Sequence, residues 1–401
     1  MTDISYLDWP FLEDSHRVLA KEFSAWAKQE IAPISENEPK TDTELDQFAL
    51  ELVRRLAEGG WLKYCVISPW GGHYEKLDVR ALCLMRETLA QHCGMADFSF
   101  VMQGLGTGPI SLFGTDEMKK KYLPDVSKGK RIAAFALSEP ESGSDVAALA
   151  TTAKLDGNHY ILNGEKTLIS NGGLAHQYIV FAKTGELPGA KGISAFVVEA
   201  GIPGFQVSER FSVISPHPLG RLKFDNCRVP IESLIGQPGE GFKIAMSSLD
   251  VFRSTVGAAA LGFARRAHSE AITQSKRRIS FGKHLCEYQL IQEKIADMSL
   301  KIDAAALLVF RSAWVKDTQQ SRATREAAMA KLFATESAQE VIDQAVQIWG
   351  GMGVVVGTVV ERLYREIRGL RIYEGTSEIQ KLIIAGHALA AIDATHTQNA
   401  G

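Results

Sequence analysis

The sequence predicts a mainly α-helical chain with a central β-domain, an α+β arrangement in the order helices, strands, helices. Three observations predict it. Apolar residues recur every three to five positions over residues 1–130. Short β-rich pieces separated by Gly, Pro and Asn fill residues 131–239. The helical period returns at 240 and persists toward 401. These spans read as an N-terminal helical domain, a small antiparallel β-domain and a C-terminal four-helix bundle. A chain of 401 residues is too long for one ordinary core.

Each element has a local reason. Leu19, Phe23, Trp26 and Ile31 mark the first helix, and Phe48, Leu52 and Leu56 a second that Gly59-Gly60 stops. Val79, Leu82, Met85 and Leu89 mark a third. Thr115-Asp116-Glu117 opens a fourth, acidic in its first turn and expected to end before Pro124. Gly104, Gly106 and Gly108 are expected in an irregular stretch between helices. Arg131 to Leu137 is an apolar run. Thr151 to Leu155 and Tyr160 to Leu162 read as strands joined by the hairpin signal Asp156-Gly157-Asn158, with Asn163-Gly164 as a further turn signal. Gln177 to Lys183, Gly192 to Glu199 and Leu219 to Phe224 continue the β-domain. Long helices follow over Phe242 to Lys276, Leu290 to Trp314 and Ala323 to Trp349, and a last one over Ser377 to Ala388. In the first of these, Gly257 to Gly262 are small enough for close helix approach. The polar tail from about Thr395 is expected to fray.

Composition narrows the function. Hydrophobic content of 45%, charged content of 23% and a net charge of −3 describe a soluble globular protein with no electrostatic reason to bind nucleic acid. No apolar run approaches the roughly 20 residues of a membrane span. Met1-Thr2-Asp3-Ile4 has neither the basic nor the apolar region of a secretory signal. The five cysteines are scattered without C-x-x-C spacing, which suits reduced, mostly buried thiols in a cytoplasmic protein. None of the ten histidines has metal-ligand spacing, so no metal is expected.

The chemistry concentrates in Arg371-Ile372-Tyr373-Glu374-Gly375-Thr376-Ser377-Glu378-Ile379-Gln380. Glu374 lies between apolar Ile372-Tyr373 and Gly375. Loss of solvation there raises a carboxylate's proton affinity toward that of a general base, whereas a solvated loop carboxylate is the bland alternative. Gly375 lets a ligand approach the backbone, and Thr376 can cap the helix that follows. Five further segments stand out. Phe135-Ala136-Leu137-Ser138-Glu139-Pro140-Glu141-Ser142-Gly143-Ser144-Asp145 is either an ordinary turn or an anion-binding nest at Gly143. Leu168-Ile169-Ser170-Asn171 precedes a Gly-Gly turn. Asp250-Val251-Phe252-Arg253 puts an arginine in a helix. Arg277-Arg278-Ile279-Ser280-Phe281-Gly282, followed by Gln289, is a basic helix end before a glycine. Gln347-Ile348-Trp349-Gly350-Gly351 is at least a helix stop.

Taken in this order, these motifs resemble those of the acyl-CoA dehydrogenases, FAD-dependent enzymes with the same helix–strand–helix order, and the resemblance covers nearly the whole chain. It implies that Glu374 removes the α-proton of an acyl-CoA thioester while hydride leaves to flavin. The thioester oxygen would be held by the Glu374 N–H and a flavin hydroxyl. Phe135, Leu137, Ser138, Leu168, Ile169 and Ser170 would meet the isoalloxazine, and Gly143, Ser144, Thr376 and Glu378 other parts of FAD. Leu168 stands where the family usually has Trp, and Ser170 where it has Thr. Asp250, Arg253, Ser144 and Gly375 would lie by the substrate. Phe252 occupies the place of an alternative base and cannot take a proton. Arg278, Phe281, Gln289, Gln347, Gly350 and Gly351 would reach FAD across a subunit interface, implying a homodimer or homotetramer. Electrons would pass to an electron-transfer flavoprotein. Ser215-Pro216-His217-Pro218-Leu219 replaces a loop that in the family carries Trp and Arg. Rival readings are a same-fold flavin oxidase or desulfinase-like enzyme, and a non-enzymatic or nucleic-acid-binding member of the fold.

Overall fold

The structure, a computed structural model, describes residues 3–36, 38–319 and 322–398, with side chains to residue 391. Six helices come first: α1 (Asp14–Glu30), α2 (Asp42–Glu58), α3 (Val79–His92), α4 (Gly94–Leu105), α5 (Gly108–Phe113) and α6 (Asp116–Ser127). Eight strands follow: β1 (Ala133–Ala136), β2 (Thr152–Asp156), β3 (His159–Ser170), β4 (Gln177–Lys183), β5 (Ile193–Glu199), β6 (Phe205–Phe211), β7 (Leu219–Pro230) and β8 (Leu234–Ile235). The long α7 (Gly241–Arg277) leads to a two-strand ladder, β9 (Ile279–Ser280) and β10 (Lys283–His284). Then come α8 (Gln289–Thr318), α9 (Thr324–Trp349), α10 (Val359–Leu370) and α11 (Ser377–Gln398).

The chain divides into two compact units: Met1–Ser35, Val79–Gly94 and Asp250–Gly401 form one, and Glu36–Asp78 with Met95–Leu249 the other. The first is helical. In α3, Val79, Leu82, Met85 and Leu89 are all buried, as their spacing requires. Its two leading N–H groups, Val79 and Arg80, donate to the Asp317 carboxylate at 2.9 and 3.0 Å, so a residue of α8 caps α3. Gly262 lets α7 approach α3: a Cβ there would sit 2.3 Å from the Glu87 carbonyl. Burying one Leu or Ile of such a stripe stabilises by about 1.5–3 kcal/mol.

The second unit is built on an eight-stranded sheet of order β6-β7-β3-β2-β4-β5-β8, with β1 pairing β4 in parallel. It is therefore mostly rather than wholly antiparallel, since β1 and β2 both run parallel to β4. β4 and β5 are buried along all but their last residue, which explains their unbroken apolar runs. Ile179, Phe181, Val197, Leu123, Val126 and Ile244 form its core, with Phe135 and Leu137 packed against it.

Several expectations change. α6 continues through Pro124, because buried Tyr122, Leu123 and Val126 offset the lost N–H bond. Gly104 lies inside α4 and Gly108 opens α5, leaving only Gly106-Thr107 between the helices. Asn163-Gly164 is not a turn. β3 runs through it, and a register shift between Leu162 and Gly164 absorbs the irregularity. β6 and α10 were not foreseen. The α11 backbone is helical to Gln398, past the expected point of fraying, and the last three residues lie outside the described ones.

Candidate active site

In the helical unit, α10 ends at Leu370 and α11 begins at Ser377, so the connecting turn carries Glu374. Glu374 has φ +54° and Gly375 φ +93°, two consecutive left-handed residues. A non-glycine in that region is strained by about 1–2 kcal/mol and persists only where its surroundings fix it. Here three side chains do so through backbone carbonyls. Arg253 Nε and Gln380 Nε2 donate to the Glu374 carbonyl at 3.4 and 3.3 Å. Lys331 Nζ and Gln380 Nε2 donate to the Gly375 carbonyl at 2.8 and 2.9 Å. Gly375 has no room for a side chain, since a Cβ would meet Gln380 Nε2 at 2.5 Å. Thr376 receives a long cap bond from the Ile379 N–H at 3.4 Å, while Glu378 is exposed. Beneath the turn, Glu336 pairs with Arg371 at 2.7 Å and accepts from Ser377 Oγ.

One carboxylate oxygen of Glu374, Oε2, is buried, although the two residues before it are exposed. Ile372 and Tyr373 are 53% and 43% exposed, so the flanking residues do not enclose the carboxylate. Its electrostatic partners are the buried cations Lys331 and Arg253. Lys331 is 0% exposed, and burial pulls its ammonium down to about 8 against the attraction of Glu374. Arg253 is 4% exposed; burial lowers its proton affinity, while Asp250 and then Glu374 favour its charge. Both cations favour the ionised form of Glu374.

The substrate-side candidates of this unit are committed to internal bonds. Asp250 is buried and accepts from Arg253 Nη1 at 3.2 Å and Thr324 Oγ1 at 2.8 Å. Arg253 thus braces the turn as well as pairing with Asp250. Phe252 is buried beside it. Sequence reasoning missed Lys331 and Gln380. The signal for Lys331 was a lone cation four residues after Ala327 and three before Ala334, on the buried face of α9.

The candidates for a subunit-bridging contact share another property: all are exposed. Phe281 is 97% exposed with φ +47°, at the tip of the β9–β10 ladder, and Arg278 and Gln289 flank it. Gln347, Gly350 and Gly351 close α9, and Trp349 Nε1 donates to the Glu270 carbonyl of α7 at 3.3 Å.

The strand-rich unit stitches the remaining motifs together. The Thr167 N–H donates to the Ser138 carbonyl at 2.9 Å, setting the loop after β1 beside the end of β3. Lys166 Nζ, fully buried, donates to the Leu137 carbonyl at 3.1 Å and to Glu139 at 2.7 Å. Burial lowers Lys166 to about 8 against the pull of Glu139. Burial would raise Glu139, but Lys166 and the N–H groups of Ala150 and Thr151 hold it below the usual carboxylate range. Asn171 Nδ2 donates to the Ala133 carbonyl and its N–H to that of Pro218, at 2.9 and 2.8 Å. The Ser215–Leu219 loop therefore borders the same edge. His217 lies against Phe98, ring centroids 4.7 Å apart.

This edge fits a flavin. Ser138 and Ser170 are half-exposed, Leu168 is 55% exposed with φ +53°, and Gly143 and Ser144 are exposed, with open space where a Gly143 side chain would stand. An apolar side chain beside hydroxyls suits a ring with a polar rim, and the open loop suits a phosphate. Ile169 is buried, its carbonyl accepting from the Gly172 N–H at 2.9 Å, and Phe135 lies tilted against Phe181 with ring centroids 5.0 Å apart.

Comparison with known proteins agrees. The acyl-CoA dehydrogenase N-terminal, middle and C-terminal domain models match residues 13–130, 134–227 and 239–389. A 3-(aryl)acrylate reductase of Clostridium sporogenes is 38% identical over 94% of this chain and 100% of its own. The human mitochondrial short-chain specific acyl-CoA dehydrogenase is 39% identical over 94% of this chain and 91% of its own. The butyryl-CoA dehydrogenase of Megasphaera elsdenii superposes with TM-score 0.86 at 34% identity, covering 94% of this chain and 99% of that one. The fold, the order of the motifs and these relatives together make this chain a member of the acyl-CoA dehydrogenase family, an FAD-dependent oxidoreductase.

Proposed function

We propose that the chain removes the α- and β-hydrogens of an acyl-CoA thioester, with Glu374 as the base, and passes the electrons to an electron-transfer flavoprotein. The carrying observation is the Glu374–Gly375 turn, whose carbonyls are held by Arg253, Lys331 and Gln380. A carboxylate fixed in place is what abstraction of an α-proton needs. FAD, when bound, accepts the β-hydrogen as hydride. Ser138, Ser170 and Leu168 would meet its ring, and Gly143 and Ser144 its phosphates or the CoA. The Glu374 N–H would hold the thioester oxygen, and Gly375, Asp250, Arg253 and Ser144 would border the substrate. Thr376 and Glu378 would lie toward FAD. The exposed Arg278, Phe281, Gln289, Gln347, Gly350 and Gly351 support a site completed by a second copy, hence a homodimer or homotetramer. The cytoplasmic placement belongs to the same reading. Among the described residues, no helix is long and apolar enough to cross a membrane.

A second reading is supported by the reductase relative, which matches along its whole length. The same residues would then work in reverse, Glu374 delivering the α-proton to an enoyl or arylacrylyl group. A panel of saturated acyl-CoAs, butyryl-CoA and a 3-arylpropionyl-CoA among them, tests both readings by anaerobic flavin bleaching and reduction of a dye acceptor. Bleaching by a saturated thioester supports the proposal, and reduction of the aryl enoyl substrate alone supports the second reading. A colourless protein, or one whose flavin is neither bleached by a saturated thioester nor, once reduced, reoxidised by an enoyl thioester, refutes both. Hydrogen peroxide formed in step with turnover would reveal an oxidase.

A further inference from the structure

We propose that Lys331 is the positioning residue of the base: its buried ammonium, donating to the Gly375 carbonyl, fixes the turn that aims Glu374 and sets a positive charge beside it. The role rests on Glu374 being the base.

The geometry sets Lys331 apart from a structural lysine. It lies on the buried face of α9, 0% exposed, and its Nζ reaches a carbonyl 44 positions away, at 2.8 Å. That carbonyl belongs to the second of two left-handed residues, the first being Glu374 itself. The charged groups acting on Lys331 are Glu374 and Arg371 of the turn, Arg253 of α7 and Glu336 of α9. Glu336 is already shared between Arg371 and Ser377. Burying an ammonium is unfavourable, and its fall to about 8 shows that its partners do not fully compensate. A methionine of similar length would fill the same space without that cost. What it could not supply is the donor to Gly375 or the field on Glu374.

The field has a direction in the reaction. When Glu374 takes the α-proton, its negative charge passes to the substrate and its attraction to Lys331 and Arg253 is lost. The two cations therefore resist premature protonation from solvent and favour return of the proton once the product has left. Removing one of them lets Glu374 protonate at higher pH.

Lys331→Met in the FAD-loaded protein tests this, with butyryl-CoA as probe. FAD content and thermal midpoint check the fold, and Lys331→Gln gives the same readouts should the Met variant fail to accumulate. Misplacing the base lowers the rate of anaerobic flavin bleaching by about 10- to 100-fold, with a smaller change in KM. The acid limb of the pH–rate profile moves up by about one pH unit. The infrared carboxylate band of Glu374, isolated by difference against Glu374→Gln, titrates upward in parallel, and Lys331→Arg restores it toward the parent. A purely structural lysine would change the thermal midpoint and leave both titrations in place. Parent-like bleaching with an unmoved acid limb and carboxylate band overturns the proposal while an inactive Glu374→Gln leaves the base assignment standing. An active Glu374→Gln overturns the base assignment itself.

Discussion

Replacing Glu374 with Gln separates the chemistry of the base from the stability of the turn. The three side chains that hold the turn, Arg253, Lys331 and Gln380, bond to backbone carbonyls, so an amide at 374 leaves all of these contacts in place. What is lost is the negative charge facing two buried cations. Lys331 then has an escape, because it can release its proton. With its value at about 8, neutralising it at pH 7 costs one pH unit, about 1.4 kcal/mol, which bounds the stability lost through it. The bound shrinks toward zero at pH 8 and grows as pH falls. Arg253 cannot neutralise but keeps Asp250 at 3.2 Å. The expected loss through Lys331 is therefore at most about 1.4 kcal/mol at pH 7, with any remainder falling on Arg253. Removal of a general base costs about 10²- to 10⁴-fold in rate, or roughly 2.7–5.4 kcal/mol of barrier. Urea unfolding of the holoprotein at pH 7 and pH 8 reads the first quantity, and anaerobic flavin bleaching reads the second. Parent-like bleaching refutes the assignment of the base. A stability loss well above 3 kcal/mol, or one that does not shrink with rising pH, refutes the account of the cations.

Other residues make equally direct predictions. Leu168→Trp should quench flavin fluorescence in the loaded protein, and fluorescence equal to the parent's would remove Leu168 from the ring contact. Asp317→Ala deletes three bonds, to the Val79 and Arg80 N–H groups and to Arg80 Nε. It should cost about 3 kcal/mol by denaturant unfolding, and a loss below 1 kcal/mol would show that α3 does not need this cap. His92 is lowered to about 4 by burial and then by Arg266 and Lys28. The unfolded chain binds that proton near pH 6.5 and the folded chain only near 4, so stability falls on acidification through this window. Up to about 3 kcal/mol is at stake, and His92→Gln should flatten that part of the stability–pH curve.

The sequence was most legible where one physical rule acted over many residues. α7, α8 and α9 span 37, 30 and 26 residues, and their buried faces repeat often enough to mark both ends closely. Short elements were harder. β6 reads Phe-Gln-Val-Ser-Glu-Arg-Phe and is only partly buried, so its alternation does not stand out from a polar loop. α10 carries Val360, Leu363, Ile367 and Leu370 at helical spacing, a signal present in the sequence but masked by the surrounding arginines and glutamates. At the site, Glu374, Ser138 and Ser170 were visible because their neighbours form recognisable segments. Lys331 was not, since only the fold brings it to Gly375 from 44 positions away, and Gln380, five positions on in the same segment, looked like an ordinary residue of the following helix.

The environment of Glu374 also changes what raises its proton affinity. Read locally, Ile372 and Tyr373 should desolvate the carboxylate, yet both are exposed, and its charged neighbours include the buried cations Lys331 and Arg253. Lys331 and Arg253 thus stand as charged neighbours of the carboxylate in the free chain. One carboxylate oxygen is already buried, and further desolvation would come from whatever covers the exposed Ile372 and Tyr373, in the proposed reaction the acyl chain with the flavin. Basicity would then rise further only when there is a proton to remove, and the cations beside Glu374 would help it discharge that proton afterwards.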